Sequence, residues 1–201
     1  MPMVELRKGA VSRQVILRTA LGQARKLGLE GLTIGTLATQ LERSKSGVFA
    51  HFGSREDLQL AVLEEGARQF VDEVFVPALK EKRGLPRLRA LLRGWLKRVG
   101  STSSGGCLFV IGAAEFGNVA GPVKDKIADL QERWRKELAK AISLCGDTDA
   151  SKGADAEQLS FEFFSVILGV HHDAHLFGQS AALARGEAAF ERLISNHFSK
   201  Q

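Results

Sequence analysis

The chain has 201 residues, 44% of them hydrophobic, with only two cysteines, four prolines and a formal net charge of +5. That length supports one or two domains with a real core and needs no disulfide scaffold, and Cys107 and Cys145 show no metal-ligand spacing. Met1 is followed by a polar, basic stretch and no segment is long and uncharged enough to span a bilayer. Neither a signal peptide nor a membrane partner is therefore expected, and the chain is expected in the cytoplasm.

The charge is unevenly placed. Residues 1–53 hold eight Lys or Arg against three acids, whereas residues 54–201 hold twenty of each. A basic excess confined to one end is the footprint of a contact with a polyanion such as nucleic acid.

Apolar residues recur at helical spacing nearly everywhere and no stretch alternates with period two, which predicts an all-α chain of about nine helices. In chain order, Ile16, Ala20, Ala24 and Leu27 mark a first helix, with Ser12 as its N-cap and Gly28 near its end. Thr33 can cap a second helix carrying Ile34, Leu37, Ala38 and Leu41, and Ser44 a third that turns Val48 and Phe49 inward. After Gly53, Ser54 and Asp57 form a capping-box pattern for a long fourth helix through Leu58, Val62, Phe70 and Val74 towards Pro77. A fifth starts at Pro86 with the stripe Leu88, Leu92, Trp95, Leu96 and Val99. STSSGG (101–106) and GDTDASKGA (146–154) read as connections, bracketing the apolar segment that ends at Gly117 and an amphipathic helix from Pro122 through Trp134 to Ile142. The last two helices fall at roughly 155–178 and 183–199. The first of these is apolar over most of its circumference, from Leu159 through Phe161, Val166 and Leu168 to Val170. It needs cover on every side, which a second copy of the chain or a deep intrachain core can supply.

Two short helices joined by a tight turn at Leu41, Glu42 and Arg43 make a helix-turn-helix, the arrangement that offers its second helix to a DNA major groove. Thr33, Arg43, Ser44, Lys45 and Ser54 supply cations, hydroxyls and helix-start amides for phosphates, while Ser46, Gly47 and Ala50 leave little bulk between the helix and base edges. Phe49 and Phe52 anchor the helix or flank the groove.

The run TIGTLATQLERSKSGVFAHFGSREDL, Thr33 to Leu58, resembles the DNA-binding module of the tetracycline-repressor-like (TetR-like) family of bacterial transcription regulators. The pattern is met by Thr33, Ile34, Leu37, Ala38, Ser44, Lys45, Phe49, Phe52, Ser54, Arg55, Glu56, Asp57 and Leu58. The chain departs from it at Glu42, where a turn glycine is usual, at Gly47, one place late, and at His51 and Arg55, which replace a Tyr and a Lys. The resemblance implies a DNA-binding unit over 1–53 and a helical effector-binding and dimerisation unit over 54–201. It further implies a homodimer reading an inverted-repeat operator in double-stranded DNA, most simply a repressor released by a small-molecule effector. Thr33, Arg43, Ser44, Lys45, Ser46, Gly47, Phe49, His51, Ser54 and Arg55 are then the DNA face, and Cys107, Phe109, Phe116, Trp134, Phe163, Phe164, His171 and His172 the effector-pocket candidates. Each of those pocket candidates reads first as plain core, because aromatic residues at helical spacing usually pack.

Three rivals stand beside this reading. His171, His172 and His175 suggest a helical metal-binding protein or enzyme, but one helical face offers two of the three or four ligands a zinc site needs. With no glycine-rich phosphate loop, nucleophile elbow or Cys-Xaa-Xaa-Cys pair, no enzyme, cofactor or metal is expected. A DNA-binding regulator gated by a protein partner is the third.

Overall fold

A computed structural model describes residues 2–99, 105–146 and 153–198. Nine helices occupy them, with no strand among the described residues. They are α1 (Pro2–Leu27), α2 (Ile34–Gln40), α3 (Lys45–Phe49), α4 (Arg55–Phe70, continuing through a π-helical turn Val71–Phe75 to a last turn Val76–Ala78), α5 (Leu85–Val99), α6 (Leu108–Phe116), α7 (Pro122–Ser143), α8 (Gly153–Leu176) and α9 (Gln179–Phe198). The connection expected at STSSGG lies outside the described residues up to Ser104, and the one at GDTDASKGA does so over 147–152.

Local capping chemistry sets the starts of the short helices. Thr33 Oγ1 accepts from the Thr36 amide at 3.1 Å, Ser44 Oγ from the Gly47 amide at 3.1 Å, and Ser54 Oγ from the Asp57 amide at 2.9 Å. Ser54 Oγ also donates to Asp57 Oδ2 at 2.6 Å, a second tie between the cap and the first turn. The first helix starts earlier than its expected cap. Its backbone is helical from Pro2, so Ser12 lies inside it, because residues 3–8 include good helix formers that let it propagate upstream.

The turn between α2 and α3 is a Schellman motif with the wrong residue at its left-handed position. The Glu42 amide donates to the Thr39 carbonyl at 3.2 Å and the Arg43 amide to Ala38 at 2.9 Å, and Glu42 sits at φ 52°. A side chain in that conformation costs ~1–2 kcal/mol, of which the greater unfolded-state freedom of glycine returns ~0.5–1. Glu42→Gly is therefore expected to stabilise the protein by about 0.5–1 kcal/mol, read as a rise of about 2 °C in Tm.

Two apolar cores follow from the helical stripes. One joins Ile16, Ala20 and Ala24 of α1 to Leu37 and Ala38 of α2, to Val48, and to Leu58 and Val62 of α4, and it also takes in Leu108, Val123 and Ile127 from α6 and α7. Leu29 and Leu32, in the α1–α2 turn, are fully buried in it, while Leu27 is 61% exposed and does not continue the α1 stripe. The other core is built on the α5 stripe, packed on Trp134 and Leu138 of α7, on Phe163 and Ile167 of α8 and on Phe190 and Ile194 of α9. Each such buried aliphatic or aromatic chain contributes ~1.5–3 kcal/mol as an upper bound. Gly186 of α9 lies so close to Val170 of α8 that no side chain fits between the last two helices.

Candidate nucleic-acid interface and ligand cavity

α3 is five residues long, far below what propensity alone sustains, so packing must hold it. Val48 does so, as its one fully buried side chain. Phe52, just beyond the helix, is buried under the Arg13 guanidinium, which lies 5.2 Å from its ring centroid. Phe49 is 50% exposed and points away from the core, which corrects the expectation that it turns inward with Val48. A five-residue helix has room for one inward position, and Val48 takes it.

The opposite face carries the expected residues. Arg43, Ser44, Lys45, Ser46, Gly47 and Phe49 are all exposed, and the Ser46 hydroxyl donates to Ser44 Oγ at 3.2 Å. Lys45 reaches back across the first turn of α2. A carbon placed on Gly35 lies 3.8 Å from both Lys45 Nζ and Thr33 Oγ1, so a cation and a hydroxyl both border a residue with no side chain. Such a grouping suits a phosphate oxygen, and Gly35 was not legible in the sequence because nothing in its spacing marks it.

The remaining expected residues sit differently. His51 is half-buried with its ring edge on Phe52. Ser54 is engaged with Asp57, and Arg55 donates through Nε to the Leu32 carbonyl at 3.1 Å and through its terminal nitrogen to the Glu30 carbonyl. Arg55 thus braces the α1–α2 turn, as does the buried Gln59, which donates to the Leu29 carbonyl at 2.8 Å.

That turn is tied to α6 from the other side. Glu115 accepts from the Leu29 amide at 2.8 Å and the Glu30 amide at 3.4 Å, and it passes directly over Gly28, which has φ 80°. The three-helix head is therefore docked on the helices that border the cavity.

The cavity has a volume of about 480 Å³ and lies between α4, α5, α6, α7 and α8. Its wall holds the rings of Phe70, Phe75, Trp95, Phe109, Trp134 and Phe164. Of the expected pocket residues, Phe109, Trp134 and Phe164 line it. Cys107 and Phe163 are buried core, and Phe116 borders a separate space of about 170 Å³ beside Gly112 and Ile127. Phe70, Phe75 and Trp95 escaped the sequence reading because their spacing on α4 and α5 is that of plain core.

His171 and His172 are also apart from the cavity. His172 is exposed beside Asp173, whereas His171 is buried, stacked on His175 at 4.3 Å between centroids, with Nε2 facing Gly106 and no hydrogen-bond partner. Among the described residues no group of three or more His, Cys, Asp or Glu is placed to hold a metal ion. Burial, reinforced by His175 and His172, pushes the His171 imidazole down to about 4. Between about pH 6.5 and pH 4 the unfolded chain therefore binds a proton that the folded one does not, and stability falls as pH drops through that window. Discounted for partial solvation, the loss is about 2 kcal/mol, and His171→Phe is expected to flatten the fall in Tm over this range.

Residues 84–190 match the family model described as the tetracyclin repressor-like C-terminal domain. No curated protein matches the chain. Among solved structures, a TetR transcriptional regulator from Chloroflexus aurantiacus is similar at a TM-score of 0.82 and 21% identity, over 97% of this chain and 98% of that one. A protein from Saccharomonospora viridis, described as a transcriptional regulator and solved with choline, is similar at 0.80 and 19%, over 94% and 98%. AibR, solved with isovaleryl coenzyme A and operator DNA, is similar at 0.66 and 20%, over 92% and 97%. No described helix is long and apolar enough to cross a membrane. With more than half its length inside the family match and the helix-turn-helix at its basic end, the chain belongs to the tetracycline-repressor-like family of transcriptional regulators.

Proposed function

We propose that the protein is a cytoplasmic, homodimeric repressor in which residues 1–53 read DNA and residues 54–201 bind an effector and dimerise. The observation that carries this reading is α3 itself. A five-residue helix pinned by Val48 turns Ser44, Lys45, Ser46 and Gly47 outward, with Thr33 beside Lys45. A major groove ~12 Å wide admits a helix so thinly clothed, and the surrounding hydroxyls, cations and amides suit its phosphate rims. Ser54 and Arg55 hold the head in shape behind it, and Arg43, His51 and Phe49 flank it.

A second copy fits the outer face of α8 and α9. Phe161 and Leu168 are 50% and 39% exposed, and Gly169 has nothing within 4 Å of an added carbon, which leaves a partly apolar strip that a twofold partner covers. The ring-lined cavity takes the effector, with α4 as the link, since its π-turn residues Val71 and Phe75 line the cavity while its start braces the head. An effector releases the operator only by binding the non-DNA spacing of the heads more tightly. The ligands in the choline and isovaleryl coenzyme A neighbours, and the operator in the latter, support this by likeness of fold.

Selection of duplexes from a random pool tests it. The expected product is an inverted repeat with half-sites about one helical turn, ~34–36 Å, apart, bound by a dimer in sedimentation. A pool that never enriches, or a monomer on a single half-site, contradicts the reading.

A further inference from the structure

On the reading that the cavity is the effector site, its polar groups lie at two depths and ask for two different things. Deep in the wall, Trp95 and Trp134 are 3% and 6% exposed, and the indole Nε1 of each is buried with no hydrogen-bond partner. The two rings pack edge-on with each other at 5.2 Å between centroids, and with Phe70 at 6.1 Å and 4.9 Å. Such packing offers an N–H at most a ring face, which is a weak acceptor. Two orphaned donors among rings therefore call for an uncharged oxygen acceptor brought in by the ligand.

The acid of the wall lies at the mouth. Glu137, the one acid among the described wall residues, is exposed, and no hydrogen bond or ion pair engages it among the described residues. The two wall arginines are already met by carboxylates: Arg68 by Glu65 at 2.7 Å and Asp72 at 2.8 Å, and Arg133 by Asp129 at 2.9 Å. Four carboxylates thus stand against two guanidiniums around the mouth, a balance that draws a cation and repels an anion. A cation has no reason to go deeper. Behind two of the rings lie guanidiniums, Arg98 at 5.5 Å from the Phe70 centroid and Arg135 at 5.6 Å from that of Phe164, and desolvation among the rings is costly without a carboxylate there. Gln131 does not discriminate. Its Nε2 donates to the Phe109 carbonyl at 2.8 Å and keeps a second N–H beside its oxygen.

We infer that the cavity binds an amphipathic organic monocation with an oxygen acceptor at its buried end. A protonated amine stays at the mouth beside Glu137, an apolar body lies among the rings, and a ketone or ether oxygen accepts from the Trp95 and Trp134 indoles. These are the only two tryptophans in the chain, so the indole region of a proton–nitrogen correlation spectrum reports on this cavity alone.

The test titrates the full-length protein, without DNA, with four compounds of one shape, read by calorimetry and by the two indole signals. They are the amino ketone 5-(dimethylamino)-1-phenylpentan-1-one, its neutral isostere 6-methyl-1-phenylheptan-1-one, the anion 6-oxo-6-phenylhexanoate, and N,N-dimethyl-5-phenylpentan-1-amine, which lacks the ketone. The amino ketone is expected to bind about tenfold tighter than the anion and about five- to tenfold tighter than the amine without a ketone, and to move at least one indole proton downfield. Glu137→Gln is expected to weaken the amino ketone about two- to fivefold and to leave the neutral isostere unchanged. If the anion binds as tightly as the amino ketone, or Glu137→Gln weakens neither compound or both alike, the cation at the mouth is overturned and the cavity still stands as a binding site. If the amine without a ketone binds as tightly and no indole signal moves, the buried acceptor is overturned. If none of the four binds, the ligand class and the effector reading of the cavity fall together, while the DNA-binding reading of α3 is untouched.

Discussion

Gly28→Val is expected to lower Tm by roughly 10 °C. Gly28 ends α1 at φ 80°, a conformation that costs a β-branched residue ~2 kcal/mol, and a side chain there collides with the Glu115 carboxylate. Moving that carboxylate breaks its bonds to the Leu29 and Glu30 amides, a further ~1.5–3 kcal/mol for hydrogen bonds to a charged group. The sum is about 4 kcal/mol, and for a chain of this size each kcal/mol moves Tm by ~2–4 °C. Thermal melts of Gly28→Val, Glu115→Ala and the double variant separate the parts. The double is expected to cost less than the sum of the singles, because the collision vanishes when Glu115 is gone. Strict additivity, or a drop under about 2 °C for Gly28→Val, contradicts the tie between α6 and the head.

Val48→Asp is expected to abolish duplex binding, at least ~100-fold, while tryptophan emission from the second core stays native. Val48 is 0% exposed and is the one side chain holding α3 to the head. A carboxylate in its place is either buried at a cost of several kcal/mol or pulls the helix off into water, and a five-residue helix cannot persist there by itself. Phe49→Ser one residue on is the control for stability alone, since Phe49 flanks the proposed DNA face. At 50% exposure it should change stability by no more than ~0.5 kcal/mol. Fluorescence anisotropy with a selected duplex and near-ultraviolet melts check both variants, and native binding by Val48→Asp sinks the assignment of α3.

What could be read from the sequence was local. The caps Thr33, Ser44 and Ser54 were legible because a capping oxygen and the amide it meets are three residues apart. Glu42 stood out only through the resemblance, whose turn usually carries a glycine at that place, and it sits at φ 52°. Features set by tertiary packing were not. Leu29 and Leu32 lie in a turn without periodicity, yet α6 and α7 close over that turn and bury them. Phe49 could not be oriented because a helix of little more than one turn has no repeating stripe. Arg55 looked like a surface cation, and only the fold brings the Leu32 and Glu30 carbonyls to it. The cavity was the least legible, since Phe70, Phe75 and Trp95 are spaced as core residues and only the way α4 passes α7 leaves a space between them.

The most direct measurement is the salt dependence of binding to the selected inverted repeat, wild type against Lys45→Ala. If Lys45 meets a phosphate beside Thr33, the variant binds more weakly to every duplex and its log–log salt slope is smaller in magnitude by about one per half-site. If the variant keeps both the affinity and the slope of the wild type, the exposed face of α3 is not what touches DNA.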